Sequence, residues 1–204
     1  MTLISNSAIF QQALSRFDAL NAQDPNSEMV DGASLPKELL YAQRMSDMLQ
    51  RYAPQASEAL RLAARCQHVQ RWKIPRHDYP MTKPGYYQWR NALKKLHAEI
   101  ARSVLTEVGY EEALVNHVCA LVGKASMHAD AEAQILEDVV VLVFLESYLG
   151  DFVASHADYS LAKFEDILIK TLRKTSPHAR ATMATLIHLP AGLEDIVQGV
   201  MQKA

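Results

Sequence analysis

Residues 135–145 read Ile-Leu-Glu-Asp-Val-Val-Val-Leu-Val-Phe-Leu, and this stretch decides the fold. A helix that is apolar around nearly its whole circumference has to lie in the interior, because each face needs an apolar neighbour. We therefore predict a central helix over residues 132–156. Its carboxylates, Glu137, Asp138 and Glu146, need cationic partners or a metal ion, since a buried and unpaired carboxylate is strongly destabilising.

The remaining segments also have the pattern of helices. Apolar residues recur at i, i+3, i+4 and i+7 in stretches rich in Ala, Leu, Glu, Gln and Arg, and no segment alternates over the length of a strand. The chain contains only seven glycines and eight prolines. We predict an all-α fold, a single multi-helix bundle that forms one domain over residues 1–204. The predicted helices span about 5–21, 36–52, 57–74, 86–108, 111–122, 132–156, 161–175, 177–186 and 191–202, with a loop over 24–34.

Composition limits the classes of function. An apolar fraction of 49% and a charged fraction of 22% are those of an ordinary globular protein. A net charge of -2 argues against general nucleic-acid binding and against binding to anionic membranes, because both need a cationic excess. The longest apolar run, 139–145, is much shorter than the roughly 20 residues that span a bilayer.

The cysteines and the N-terminus predict a compartment. Cys66 and Cys119 are too few and too far apart for a disulfide framework or a structural zinc site. The first residues, Met-Thr-Leu-Ile-Ser-Asn, lack the pattern of a secretory signal. We therefore expect a cytoplasmic protein with reduced thiols.

A second stretch, His-Val-Gln-Arg-Trp-Lys-Ile-Pro-Arg at residues 68–76, predicts a pocket wall. On a helical period His68, Arg71 and Trp72 share one face, and Pro75 ends the helix. This polar face follows a stripe of apolar residues at 59–64. The alternative is that His68 is an ordinary hydrogen-bonded core or surface residue.

Other polar residues have a spacing that places them beside the same wall. Arg90, Lys94 and His97 recur at i, i+4 and i+7 along the helix predicted for 86–108, either as a cationic line of a pocket or as a solvated face. Arg44 lies on the helix over 36–52, and Arg76 lies in a proline-rich loop. Imidazole and carboxylate groups coordinate divalent ions, while Arg and Lys bind phosphate or carboxylate oxygens. This combination is typical of a metal-assisted phosphohydrolase.

At these positions the sequence resembles the domain-of-unknown-function family numbered 4202, over about residues 36–155. Some members of that family carry a glutamyl-tRNA synthetase label, but this chain has no strand-helix signature for binding a nucleotide. The matching segments are Glu38-Leu-Leu-Tyr-Ala-Gln-Arg44-Met, Ala64-Arg-Cys-Gln-His-Val-Gln-Arg-Trp72, Ile74-Pro-Arg76, Tyr79-Pro-Met81, Gly85-Tyr with Trp89-Arg90, Lys94-Lys-x-His97-Ala, and Leu136-Glu-Asp-Val139.

A weaker resemblance is to the HD superfamily of metal-dependent phosphohydrolases. His68-Val-Gln-Arg-Trp72 is similar to the helix that supplies the first metal ligand, and Leu136-Glu-Asp138 is similar to the helix that supplies the last. The resemblance implies an HD-domain-like architecture in which His68, His97 and Asp138 bind a divalent ion such as Mn, Fe, Ni or Zn. Where that superfamily has a His-Asp doublet, this chain has His97-Ala98.

Three functions follow as hypotheses. In the first, the protein hydrolyses a small phosphorylated compound or nucleotide, with His97 and Arg71 as catalytic residues. In the second, it binds or senses an anionic metabolite without a metal, and Glu137 and Asp138 are structural. In the third, it is a helical interaction protein whose apolar helices form a homodimer. The residues predicted to bind the substrate or ligand are Arg44, Arg71, Trp72, Arg76, Arg90 and Lys94.

Overall fold

The computed structural model describes residues 7–125 and 130–203, which form an all-α bundle with one short hairpin. The all-α prediction is confirmed, whereas the predicted start of the first helix at residue 5 and one of the histidines, His128, lie outside the described residues. The helices are α1 (Ala8–Asn21), α2 (Lys37–Tyr52), α3 (Glu58–Cys66), α4 (Lys83–Val108), α5 (Glu112–Gly123), α6 (Ala131–Val143), α7 (Leu149–Ser155), α8 (Leu161–Leu172), α9 (Pro177–Leu186) and α10 (Glu194–Met201).

The predicted central helix is confirmed as a continuous helical path with one irregular turn. Helix α6 passes through a π-helical turn at Phe144–Tyr148 into α7. Its apolar side chains are buried on most of its circumference, and α6 packs against α2, α3 and α5. Leu136, Val139 and Leu142 are among its residues that join the core.

The prediction of a loop before α2 was wrong, because the segment contains a β-hairpin. Strand β1 (Ser27–Val30) pairs antiparallel with β2 (Ala33–Pro36). The two residues of its turn, Asp31 and Gly32, have φ angles of 49° and 81°. Asp-Gly is a preferred pair for such a left-handed turn, so the signal was present in the sequence.

The helix that leads into residues 68–76 ends earlier than predicted. Helix α3 stops at Cys66, and the chain continues through a 3₁₀ turn at Arg71–Lys73 after Gln70, whose φ of 53° is left-handed. The backbone N–H of Gln70 donates to Oδ1 of Asn21 at 3.0 Å, so a side chain of α1 stabilises this break. The prediction that His68, Arg71 and Trp72 share a helical face was therefore wrong.

Helix α4, which carries the predicted cationic line, begins three residues before its predicted start. The Thr82 hydroxyl accepts a hydrogen bond from the N–H of Gly85 and caps the helix, and Pro84 lies in its first turn. Gly109 ends the helix in a left-handed conformation with φ 100°, as predicted. Within the described residues, no helix is long and apolar enough to span a membrane.

Candidate functional site

A cavity of about 390 Å³ lies where α2, α4, α6 and α8 meet the connection that follows α3. Five cationic side chains and two carboxylates line it, together with neutral polar and apolar groups. A surplus of cations in a concave site concentrates a field that attracts anions. The lining residues are Lys37, Glu38, Tyr41, Gln67, His68, Arg71, Arg90, Lys124, Glu137, Val140, Val141, Phe144, Tyr148, Thr171 and Lys174.

The cations of the cavity differ in how completely they are paired. Lys124 forms an ion pair with Glu137, and Nε of Arg71 lies 3.9 Å from Oε1 of Glu38. Burial lowers the pKa of both Lys124 and Arg71, because the charged form loses hydration. Arg90 has no ion pair or hydrogen bond with any residue in 7–125 or 130–203. An unpaired guanidinium facing a cavity is a natural binding group for phosphate or carboxylate.

Glu38 is the carboxylate whose charge state is most altered by this environment. It is only 7% exposed, and burial raises its pKa from 4.5 to about 7, although the Arg71 guanidinium opposes this shift. About half of the Glu38 side chains therefore carry no charge near neutral pH. The net charge of the cavity wall is therefore more positive than a count of its cations and carboxylates would give.

His68 forms one wall of the cavity and is uncharged. Its ring stacks on Tyr41 with centroids 4.1 Å apart, and burial followed by the Arg71 charge keeps its pKa well below the ordinary value. Nη1 of Arg71 lies 3.4 Å from Nε2 of His68. Because a guanidinium can only donate, Nε2 accepts, and the ring proton is on Nδ1, which lies 3.6 Å from Oε2 of Glu38. His68 is therefore oriented from three sides.

His97 lies behind this wall rather than in the cavity. Its Nδ1 donates to the carbonyl oxygen of Val69 at 2.8 Å, and its ring centroid is 5.9 Å from that of His68. Burial lowers the pKa of His97 to about 4, so the ring is neutral and Nε2 is an acceptor. This Nε2 is buried and has no hydrogen-bond partner among the described residues.

Asp138, the third residue predicted to bind a metal, lies outside the cavity. Its two carboxylate oxygens accept hydrogen bonds from the Tyr52 hydroxyl at 2.7 Å, from the N–H and hydroxyl of Ser176 at 2.7 Å each, and from Nε2 of Gln134 at 2.9 Å. These donors occupy the carboxylate and connect α6 to α2 and to the start of α9. Asp138 is therefore not available to a metal ion shared with His68 and His97.

The other side chains that could bind a metal ion lead to the same conclusion. In the part of the chain that the structure describes, no group of three or more His, Cys, Asp and Glu side chains is arranged to hold a metal ion. The residues present thus do not fit the divalent ion implied by the HD resemblance, and metal binding stays a prediction.

The expected partners of the central carboxylates were also wrong. We expected partners among Arg44, Arg71, Arg76, Arg90 and Lys94, yet Glu137 pairs with Lys124 and Glu146 pairs with Arg51. Asp138 pairs with neutral donors.

Six residues were predicted to bind a ligand, and two of them line the cavity. Arg71 and Arg90 line the cavity. Arg44 pairs with Glu28 on the hairpin at 2.6 Å and lies over the ring of Tyr148, next to the cavity but not in its wall.

The other three candidates lie farther along the connection and α4. Arg76 donates to the carbonyl oxygens of Tyr79 and Pro80, so its guanidinium holds the loop together. Lys94 lines a small chamber behind the cavity, and Trp72 lines neither space. The aromatic partner of Arg71 is instead Trp89, whose ring centroid is 4.8 Å from the guanidinium carbon.

Three lysines of the cavity were not predicted. Lys37 follows Pro36 at the start of α2, Lys124 follows the end of α5 with a left-handed φ of 55°, and Lys174 follows α8. All three lie at helix ends, where helical spacing does not indicate the direction of a side chain. A charged residue next to a predicted helix boundary is the only available signal.

Comparisons with known proteins give one match. A family model with the description "Domain of unknown function (DUF4202)" matches residues 11–197, from α1 into α10. No curated protein and no solved structure matches the chain.

Proposed function

The chain belongs to the DUF4202 family, and we propose that its cavity binds a small anionic metabolite through phosphate or carboxylate groups, without a metal ion. The observation that supports this proposal is the composition of the cavity wall: Lys37, Arg71, Arg90, Lys124 and Lys174 face only two carboxylates.

The two arginines are the expected anchors for the ligand. A guanidinium presents a planar set of donors that matches two oxygens of a phosphate or carboxylate. The Arg71 guanidinium lies over Trp89 and close to Glu38, so its position is largely fixed before a ligand binds. Arg90 contributes a charge with no protein partner in the described residues. Preorganised cations lose little conformational freedom on binding, which favours affinity.

Binding is better supported than hydrolysis by the positions of the polar groups. The carboxylate of Asp138 lies outside the cavity and already accepts four hydrogen bonds, and His68 and His97 are buried and neutral. Hydrolysis of a phosphorylated compound and formation of a homodimer remain predictions without a specific contact behind them.

The test is a titration of the protein with sulfate, inorganic phosphate and phosphorylated compounds in the presence of a chelator, followed by calorimetry and thermal unfolding. We expect binding in chelator, with affinity lowered about 10-fold or more in Arg90→Met, because hydrogen bonds to charged groups contribute about 1.5–3 kcal/mol. The matched control is Arg102→Met, since Arg102 is an exposed arginine of the same helix that donates to Asn116. Its affinity should equal that of the wild type.

Two results would refute the proposal. One is the absence of binding by every anion in the panel, and the other is an unchanged affinity in Arg90→Met. Binding that disappears in chelator and returns with Mn, Fe, Ni or Zn would support the metal-dependent alternative instead.

A further inference from the structure

A small chamber of about 10 Å³ adjoins the cavity and has its own set of polar atoms. The two spaces share part of their lining, which consists of Gln67, His68, Arg90 and Lys124. Its volume is close to that of one water-sized group. The residues that line only the chamber are Leu93, Lys94, His97 and Val122.

Two residues that line this chamber, Gln67 and His97, each carry a buried acceptor without a partner among the described residues. Nε2 of His97 and Oε1 of Gln67 have no hydrogen bond to any described residue, and both residues are only 4% exposed. The His97 nitrogen is an acceptor because the other ring nitrogen donates to Val69. A buried acceptor without a donor is destabilising, so this pair favours any ligand that brings a donor.

The charges around the chamber restrict the kind of donor. Arg90, Lys94 and Lys124 line it, and they would repel an ammonium group. A hydroxyl is neutral, donates to one acceptor and can accept from a cation. We propose that the chamber is a hydroxyl-recognition subsite of the anion-binding cavity, which makes the ligand a hydroxylated phosphate or carboxylate, such as a sugar phosphate or a hydroxy acid. This inference rests on the proposed function.

Matched pairs of ligands test the subsite. Glycerol 3-phosphate is compared with propyl phosphate, and malate with succinate, because the members of each pair differ in their hydroxyl groups. Inorganic phosphate reports on the anion site alone. We expect the hydroxylated member to bind the wild type at least about 10-fold more tightly in one pair, since a site with unpaired acceptors discriminates against a ligand without the donor.

Two variants remove one acceptor each. Gln67→Met keeps the length of the side chain without its carbonyl, and His97→Asn keeps an amide nitrogen that can donate to Val69 but loses Nε2. In the variant that lacks the acceptor of the ligand hydroxyl, the ratio of affinities should fall towards one, while the affinity for inorganic phosphate is unchanged. Gln88→Met, on the exposed face of α4, is the control and should keep the wild-type ratio. If His97→Asn does not fold, His97→Gln takes its place.

The outcomes separate this inference from the proposal that it extends. Equal affinities within both pairs, with inorganic phosphate bound, would overturn the hydroxyl subsite and leave the anion site standing. A wild-type preference that persists in Gln67→Met and in every folded His97 variant would also overturn it. Failure of every anion to bind would overturn both.

Discussion

Replacing Glu38 by Gln removes a carboxylate whose charged form is destabilised by burial. In the folded protein the pKa of Glu38 is about 7, whereas the ordinary value is 4.5. The folded state therefore holds this proton more tightly than the unfolded chain does. The resulting stabilisation is fully present below pH 4.5 and is lost as the pH rises through 7. Glu38→Gln lacks this loss, so the variant should gain stability relative to the wild type as the pH rises.

The expected magnitude follows from the two pKa values. One pKa unit corresponds to about 1.36 kcal/mol, and integration of the linkage relation from pH 5 to pH 8 gives roughly 2–3 kcal/mol. His68 and His97 act in the opposite direction, because their pKa values are lowered and they destabilise the folded state below about pH 6.5. Burial, the largest cause of both shifts, persists in the variant, so most of the contribution of the two histidines cancels in the difference.

The assay is urea unfolding of both proteins at pH 5, 6, 7 and 8. The difference in unfolding free energy should move by roughly 2–3 kcal/mol in favour of Glu38→Gln across this range. Glu99→Gln is the control, because Glu99 is an exposed glutamate of α4 with a side chain 62% accessible. A difference that stays constant with pH, or one that moves against Glu38→Gln, would refute the reasoning.

Two further predictions concern the contacts that support the cavity. Asp138→Ala should lower the unfolding free energy by about 3 kcal/mol, because the N–H of Ser176 and three other donors lose their acceptor. A loss below about 1 kcal/mol in urea unfolding would contradict this structural role. Gly85→Ala should destabilise the protein by about 1–3 kcal/mol, since a Cβ there would lie 2.1 Å from the carbonyl oxygen of Pro80. Gly123→Ala, whose Cβ would meet nothing within 4 Å, should be tolerated, and equal thermal shifts in the two glycine variants would disprove the clash.

Much of the fold could be predicted because its signals are local. The apolar circumference of α6 and the glycine after α4 each specify a helix or its end without reference to the rest of the chain. The end of α3 could not be predicted in this way. Gln70 takes a left-handed conformation because Asn21, 49 residues earlier, accepts its N–H. A tertiary contact thus overrides a helical pattern that continues to Trp72.

Three residues that were site candidates from the sequence, Arg71, Arg90 and His68, line the cavity. Only Arg90 lies on a regular helix, beside the apolar stripe of α4, whereas His68 and Arg71 reach the cavity from the irregular connection after α3. Asp138 was misplaced because a helix that is buried all round gives no indication of which neighbour each carboxylate faces. Lys124 was not predicted, because its position depends on the left-handed turn after Gly123.

The protonation of Glu38 and the binding of an anion are coupled if both occur in this cavity. Glu38, whose pKa is about 7, changes the net charge of the wall near pH 7, while His68 in that wall is neutral. An anion bound next to Arg71 would weaken the attraction that this guanidinium exerts on the Glu38 carboxylate, and would raise the pKa of Glu38 further. By linkage, the protein should take up a proton when it binds an anion of constant charge such as sulfate, and the affinity should fall between pH 6 and pH 8. In Glu38→Gln both the proton uptake and most of this pH dependence should disappear, because the variant lacks the carboxylate whose pKa is about 7.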